Sequence, residues 1–257
     1  PNTLHNLDKK DIPIILLNGR ITKKTFNRWL IFPEFSKSIF SKFSLCLSSS
    51  RESRNFLKRL GAKNIKLIGN LKYSQSENEG IDLNKNLKKF IFSRNSWCAS
   101  STHNNEEEIC GKVHLILMKK YKNLLTIIIP RHIDRVSSIK DQLLKMNLRV
   151  HLDEPKKKIS SNTDVYLVNS YGKTKSFYKV CKNVFLGGSL VKHGGQNPLE
   201  AVRYGCNIIH GPNISNFKEI YEFLKKKDVS NKVLDYKQLT SVLYKTLKKK
   251  NRSKKII

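Results

Sequence analysis

Residues 184 to 200 read VFLGGSLVKHGGQNPLE and hold the densest set of groups able to bind an anion. An apolar stretch, Val184 to Leu186, empties into Gly187, Gly188 and Ser189, and a second glycine pair, Gly194 and Gly195, leads to Asn197, Pro198, Leu199 and Glu200. Pro198 suits the first position of a helix, where its missing N–H costs nothing. Free amides at that helix start would face a phosphate, the glycines would let it approach the backbone, and Glu200 would accept hydrogen bonds from ribose hydroxyls beside it. A tight strand-to-helix connection needs the same residues, so the turn alone does not decide the matter.

Other stretches carry groups of matching chemistry. Pro130, Arg131 and His132 follow the apolar run Leu124 to Ile129, and an arginine there offers a planar fork suited to phosphate. Arg135 would serve equally well in a salt bridge within its own domain. Ser101, Thr102 and His103 leave the stretch Trp97 to Ser100 with hydroxyls able to cap the next helix, whose first turn holds Glu106 to Glu108, where acidic residues favour the dipole. His103 has a ring suited to proton transfer near neutral pH or to a structural or sugar-binding hydrogen bond.

The elements that must position these groups are legible as an alternation. Strands are expected at 97–100, 124–129, 149–152, 165–168, 184–186 and 207–209, with helices beginning near Asn105, Ser137, Lys173 and Pro198. That order is the pattern of an α/β, doubly wound parallel sheet, in which ligands sit outside the carboxyl ends of the strands. Before it, residues 12 to 17 are a continuous apolar run that fits a strand buried on both faces, followed by a helix capped by Thr22 with Phe26, Trp29 and Leu30 on one face. A strand at 43–47, a helix after Ser50 that stops at Gly61, and a strand at 65–68 complete this part. Residues 74 to 88, rich in Ser, Asn, Glu and Lys, read as an interdomain linker, which divides the chain into 1–75 and 76–257.

The totals bound the classes. At 257 residues the chain can bury one large core or two modest ones, and its 39% hydrophobic content fits a globular protein. It opens on Pro1 without an initiator Met and has no apolar run near the ~20 residues needed to span a bilayer, so it reads as a fragment with no visible signal peptide or anchor. Five cysteines without a CxxC pair or a histidine at ligand spacing indicate reduced thiols and no zinc site; Cys98, Cys181 and Cys206 read as small core residues. Lys and Arg number 50 against 20 Asp and Glu, a formal charge of +30, spread along the chain. That charge fits solvated surface lysine, or attraction to anionic lipid and to phosphorylated substrates. No aromatic-basic motif or recognition-helix pattern supports a nucleic-acid partner, which stays the remote alternative.

Several of these stretches, taken in order, resemble one family. Gly69-Asn70-Leu71-Lys72, WCASSTH with Glu106 to Glu108, IPRH with Arg135, the 184–200 stretch, and Gly211-Pro212 with Asn216-Phe217-Lys218-Glu219 are similar to the Kdo transferases of lipopolysaccharide synthesis. The resemblance implies a two-domain, metal-independent, inverting GT-B glycosyltransferase that moves 3-deoxy-D-manno-oct-2-ulosonic acid (Kdo) from CMP-Kdo to a lipid A precursor at the cytoplasmic face of the inner membrane. It implies no cofactor beyond the CMP-Kdo donor. It assigns CMP contacts to Pro130, Arg131, Tyr171, Gly172, Lys173, Asn197, Pro198, Leu199 and Glu200, and to Lys72 the stabilisation of charge on the departing phosphate.

The sequence departs from the family in places. Asn105 stands where Gly is frequent, Gly19 replaces Ala between Asn18 and Arg20, and Val168 to Lys173 replace Gly-Asp-Thr-Met-Gly-Glu, keeping only Gly172. The family's general base, a Glu in a Gly-Glu motif, has no match, so the fragment is expected to bind CMP and transfer little sugar. The altered 168–173 loop keeps a GT-B enzyme acting on a different nucleotide sugar as the nearer alternative.

Overall fold

A computed structural model describes residues 2–69, 71, 82–154 and 157–248. Contacts divide the chain into two compact units, Pro1–Glu77 and Asn78–Ile257, two residues beyond the sequence division.

The first unit runs α1 (Asn2–Asp8), β1 (Ile15–Gly19), α2 (Lys23–Trp29), α3 (Pro33–Phe40), β2 (Leu45–Ser48), α4 (Arg51–Arg59) and β3 (Ile65–Leu67). The three strands pair in parallel in the order β1-β2-β3. Local chemistry sets the helix starts: the Thr22 hydroxyl accepts the Thr25 amide at 3.3 Å, and the Ser50 hydroxyl accepts that of Ser53 at 3.0 Å. Phe26, Ile39, Phe40, Cys46, Leu57 and Leu60 form the core between sheet and helices. The expectation that β1 is buried on both faces is not met. Leu16 packs on that core, whereas Ile15 and Leu17 are 57% and 60% exposed, because the described helices cover only the Leu16 side.

The second unit begins with α5 (Lys85–Phe92), inside the stretch read as linker. The Asn84 carboxamide oxygen caps it by accepting the Leu87 amide at 2.7 Å, and Leu87 and Ile91, one turn apart, are buried among lysines that hide the pattern. Then follow β4 (Asn95–Thr102), α6 (Glu106–Leu117), β5 (Leu124–Pro130), α7 (Val136–Lys145), β6 (Val150–Leu152), β7 (Val165–Leu167), α8 (Thr174–Val180), β8 (Asn183–Leu186), α9 (Leu199–Arg203), β9 (Asn207–His210), α10 (Lys218–Lys226), β10 (Ser230–Lys232) and α11 (Tyr236–Lys248). All seven strands pair in parallel, in the order β10-β9-β8-β4-β5-β7-β6. Every residue of β5 is buried, as a central strand covered by helices on both faces requires. Two apolar layers result: one holds Cys98, Cys181 and Cys206 with Phe177 and Tyr221, the other Trp97, Cys110, Leu143 and Leu239. All five cysteines are buried and unbonded. Sequence reading missed β10, a three-residue edge strand with the polar sequence Ser-Asn-Lys. The basic tail from 249 onward lies outside the described residues.

The amino ends of the strands are tied by charge. Asp164, immediately before β7, accepts Nε and Nη2 of Arg149, both at 2.7 Å, and the Arg149 amide at 2.9 Å; His114 Nε2 lies 3.7 Å away. Burial alone would raise the Asp164 pKa, but the His114 imidazole and the Arg149 groups hold it well below the usual carboxylate range. A depressed carboxylate pKa stabilises the fold above the unfolded value of about 4, and that contribution is lost as pH falls towards the folded value. Asp164→Asn is therefore expected to destabilise by about 2 kcal/mol at neutral pH, or about 6 °C in Tm for a unit of this size. The gap from wild type should narrow below about pH 4; calorimetry across pH checks both.

Candidate functional site

Parallel pairing places the carboxyl ends of β4, β5, β7, β8 and β9 along one edge of the sheet, at Thr102, Pro130, Leu167, Leu186 and His210. The loops that follow carry the candidate groups of this unit. Two of them are locked together by one side chain, Glu106, at the start of α6.

Glu106 is fully buried and accepts four backbone amides: His103 at 2.9 Å and Gly188 at 2.7 Å on Oε2, Ser189 at 3.1 Å and Leu190 at 3.0 Å on Oε1. Burial raises its pKa against the pull of those amides. The backbone bends to bring them in: Ser101, Asn105 and Gly188 have φ of 55°, 75° and 64°. Asn, among the side chains that best tolerate this region, explains position 105. Gly187 is fixed by proximity, since a Cβ there would lie 2.4 Å from the Ser101 carbonyl oxygen.

The glycine turn, expected to let a phosphate approach the backbone before the helix start, has amides of its own engaged within the protein. Those of Gly188, Ser189 and Leu190 already hold a carboxylate, and that of Gly195 donates to the Gly188 carbonyl at 2.8 Å. The helix also starts later than expected: Pro198 is its cap residue, α9 has five residues, and the Leu199 amide donates to the Asn197 side chain at 3.1 Å. Among the described residues the backbone N–H groups of Gln196 and Asn197 have no hydrogen-bond partner.

A cationic rim surrounds His103 instead. Its ring lies against that of His193, tilted by 33° with centroids 3.9 Å apart, and meets the edge of His132 at 5.8 Å, and Gln196 Nε2 lies 3.3 Å from its Nε2. Burial, then the charges of His193, His132, Arg131 and Arg135, lower the His103 pKa to about 4, so the ring is neutral at pH 7 and Nε2 accepts the Gln196 amide. Arg131 and the turn ending at Asn197 thus flank one imidazole. Arg135 is otherwise engaged: its guanidinium forks onto the buried Glu107 carboxylate at 3.1 and 3.0 Å, the domain-internal salt bridge. The Arg131 side chain is exposed and has no hydrogen bond or ion pair to a described residue.

The remaining predicted residues fall in three places. Glu200 Oε1 sits 3.7 Å from Lys175 at the start of α8, which draws α9 toward the 168–173 loop. In that loop Tyr171 is exposed and Gly172 has φ of 84°, while Lys173 donates to Asp153 Oδ2 at 2.6 Å, whose other oxygen accepts the Tyr166 hydroxyl at 2.7 Å. Lys173 is thereby held by β6 and β7. Glu219, exposed in the first turn of α10, has the helix-supporting place expected of it. Lys72 lies outside the described residues. Sequence reading missed the clamp of Glu106, which it took as a dipole-favouring acid; its spacing of three from His103 is the capping signal that was available.

Glu106→Gln replaces two acceptor faces with one acceptor and one donor, setting an NH2 against buried N–H groups. The expected loss is about 3 kcal/mol, some 9 °C in Tm, measurable by thermal unfolding.

Comparisons with known proteins find likenesses along the whole chain. Residues 1–75 match the family model described as 3-Deoxy-D-manno-octulosonic-acid transferase (kdotransferase). A 3-deoxy-D-manno-octulosonic acid transferase of Haemophilus influenzae is 34% identical over 230 residues, covering 87% of this chain and 53% of that protein. One of Aquifex aeolicus is 28% identical over 99% of this chain and 68% of its own length. The chain spans about half the length of most of the curated relatives it matches. Among solved structures, the C-terminal CMP-Kdo binding domain of WaaA from Acinetobacter baumannii is 26% identical with a TM-score of 0.59, over 62% of this chain and 83% of that one. Anabaena Alr3699/HepE in complex with UDP, 8% identical with a TM-score of 0.52 over 98% of this chain and 67% of that one, shares the fold alone. The chain thus has a fold of the GT-B type and is similar, along both units, to 3-deoxy-D-manno-octulosonic-acid transferases.

Proposed function

We propose that this chain is part of a glycosyltransferase that moves Kdo from CMP-Kdo to a lipid A precursor, lipid IVA, and that its second unit holds the donor. The observation that carries the reading is the unpaired Arg131 beside the 188–197 turn, both against His103. When the bond to the sugar breaks, negative charge collects on the CMP phosphate, and the uncommitted Arg131 guanidinium with the Gln196 and Asn197 backbone amides would stabilise it. Glu200, beside Lys175, would accept the ribose hydroxyls, and Pro130, Tyr171, Gly172, Lys173, Pro198 and Leu199 would shape the rest of the pocket. Cationic side chains supply the charge compensation that a divalent metal gives elsewhere, so binding is proposed to need none, and no cofactor besides the donor. The acceptor would place the enzyme at the cytoplasmic face of the inner membrane, on anionic lipid. Among the described residues no helix is long and apolar enough to cross a membrane.

A second reading, a GT-B enzyme for another nucleotide sugar, is favoured by one observation: Lys173 is turned onto Asp153 in the loop that departs from the family. Titration calorimetry separates the two. CMP should bind, with Arg131→Ala weakening it about 30-fold and Glu200→Ala about tenfold, unchanged by EDTA, and UDP and GDP should compete poorly. Absence of CMP binding, or equal affinity for UDP, would count against the Kdo reading.

A further inference from the structure

On the other side of the 188–196 turn lies a cavity of about 640 Å³, between α10 and the carboxyl ends of β9 and β10. Lys192, Lys218, Lys225 and Lys232 line it against a single carboxylate, Glu222. Lys218 is 3.9 Å from that carboxylate; among the described residues Lys192, Lys225 and Lys232 have no acidic partner. Lysine is frequent throughout this chain, so the ammonium groups alone would not mark a site. The second observation is His210, 4% exposed, which lines the same cavity. Its ring packs on Tyr221 with centroids 4.3 Å apart, and its Nδ1 bonds the Gly211 carbonyl at 2.7 Å, which leaves Nε2 without a described partner. Because Nδ1 donates to that carbonyl, the neutral ring presents Nε2 as an acceptor; that atom is not sealed from the cavity, and a hydroxyl of a phosphorylated ligand whose phosphate lies among the uncompensated ammonium groups would donate to it.

We propose that this cavity is a second anion site, which takes a phosphate monoester such as a sugar phosphate and is separate from the Arg131 rim. Ammonium groups are compact charges on flexible stems, able to approach a tetrahedral dianion from several sides, and no arginine fork lines the cavity. Its lining shares Lys192, His193 and Gly194 with the 188–196 turn, and His193 is the ring that meets His103 on the other face. The turn is thus a wall between two anion sites, and Tyr221 braces it by donating its hydroxyl to the Gln196 carbonyl at 2.9 Å. The proposal does not depend on the identity of the nucleotide sugar.

The test follows the His210 imidazole by NMR, assigned with His210→Gln, while the chain is titrated with glucose 1-phosphate or with phosphatidylcholine vesicles containing phosphatidic acid. A saturable His210 shift with either ligand, weakened about tenfold or more in the K225Q/K232Q double variant, supports the site. A response to the sugar phosphate identifies a soluble ligand, and a response to vesicles alone identifies a phosphorylated headgroup. CMP affinity of the double variant, expected within twofold of wild type, verifies its fold independently. No saturable shift at His210, or an unchanged affinity in the double variant, overturns the proposal whatever CMP does.

Discussion

The carboxylate of Glu106 joins the ends of two central strands by accepting four amides, one from the loop after β4 and three from the turn after β8. Each amide would otherwise be a buried donor without an acceptor, and the carboxylate would be a buried charge without compensation; together they satisfy both demands. The rest of the candidate site depends on this joint. It fixes His103 on one side and the start of the 188–196 turn on the other, so the two tilted imidazoles and Gln196 meet as a consequence. Ser189 extends the frame, since its hydroxyl accepts the Gly211 amide at 2.8 Å and its carbonyl accepts that of Asn213 at 2.9 Å, tying the end of β9 to the same turn.

An internal anion changes how an external one is bound. A glycine turn that has given its amides to Glu106 cannot also cradle a phosphate; in the proposed function that role falls to the rim, Arg131, the two neighbouring imidazoles and the amides just before α9. The two arginines after β5 show how the chain separates structure from binding. Arg135 is spent on Glu107, whose carboxylate is as buried as that of Glu106, while Arg131 remains exposed. His103 is kept neutral by burial and by that same cationic company, which leaves the site positively charged at its edge and unprotonated at its centre.

The parallel sheet was legible because continuous apolar runs such as Leu124 to Ile129 recur between helical stretches, and strand ends then located the candidate groups. Thr22 and Ser50 were recognisable as caps since a hydroxyl before a helix acts locally. What escaped was long-range or thinly coded. The α5 face consists of Leu87 and Ile91 amid lysines, and β10 is held by pairing with β9 rather than by its own sequence. Nothing local distinguishes a Glu106 that bonds amides 82 to 84 positions away from one that only favours a helix dipole. The same blindness hid that the 187–190 turn, where the glycines were read as room for a phosphate to approach, already holds a carboxylate. Likewise, the resemblance alone made Lys173 a nucleotide contact, and nothing local showed its ion pair with Asp153, 20 positions away just after β6.

The central claim is that an anion enters beside His103, between Arg131 and the turn that Glu106 holds. The most direct measurement is the NMR titration of the His103 ring with and without saturating CMP. Free, the ring should titrate at about 4; with a phosphate beside it, the charged form is favoured and the midpoint should rise by about a unit or more. A midpoint that CMP leaves unmoved would place the nucleotide elsewhere and contradict the account.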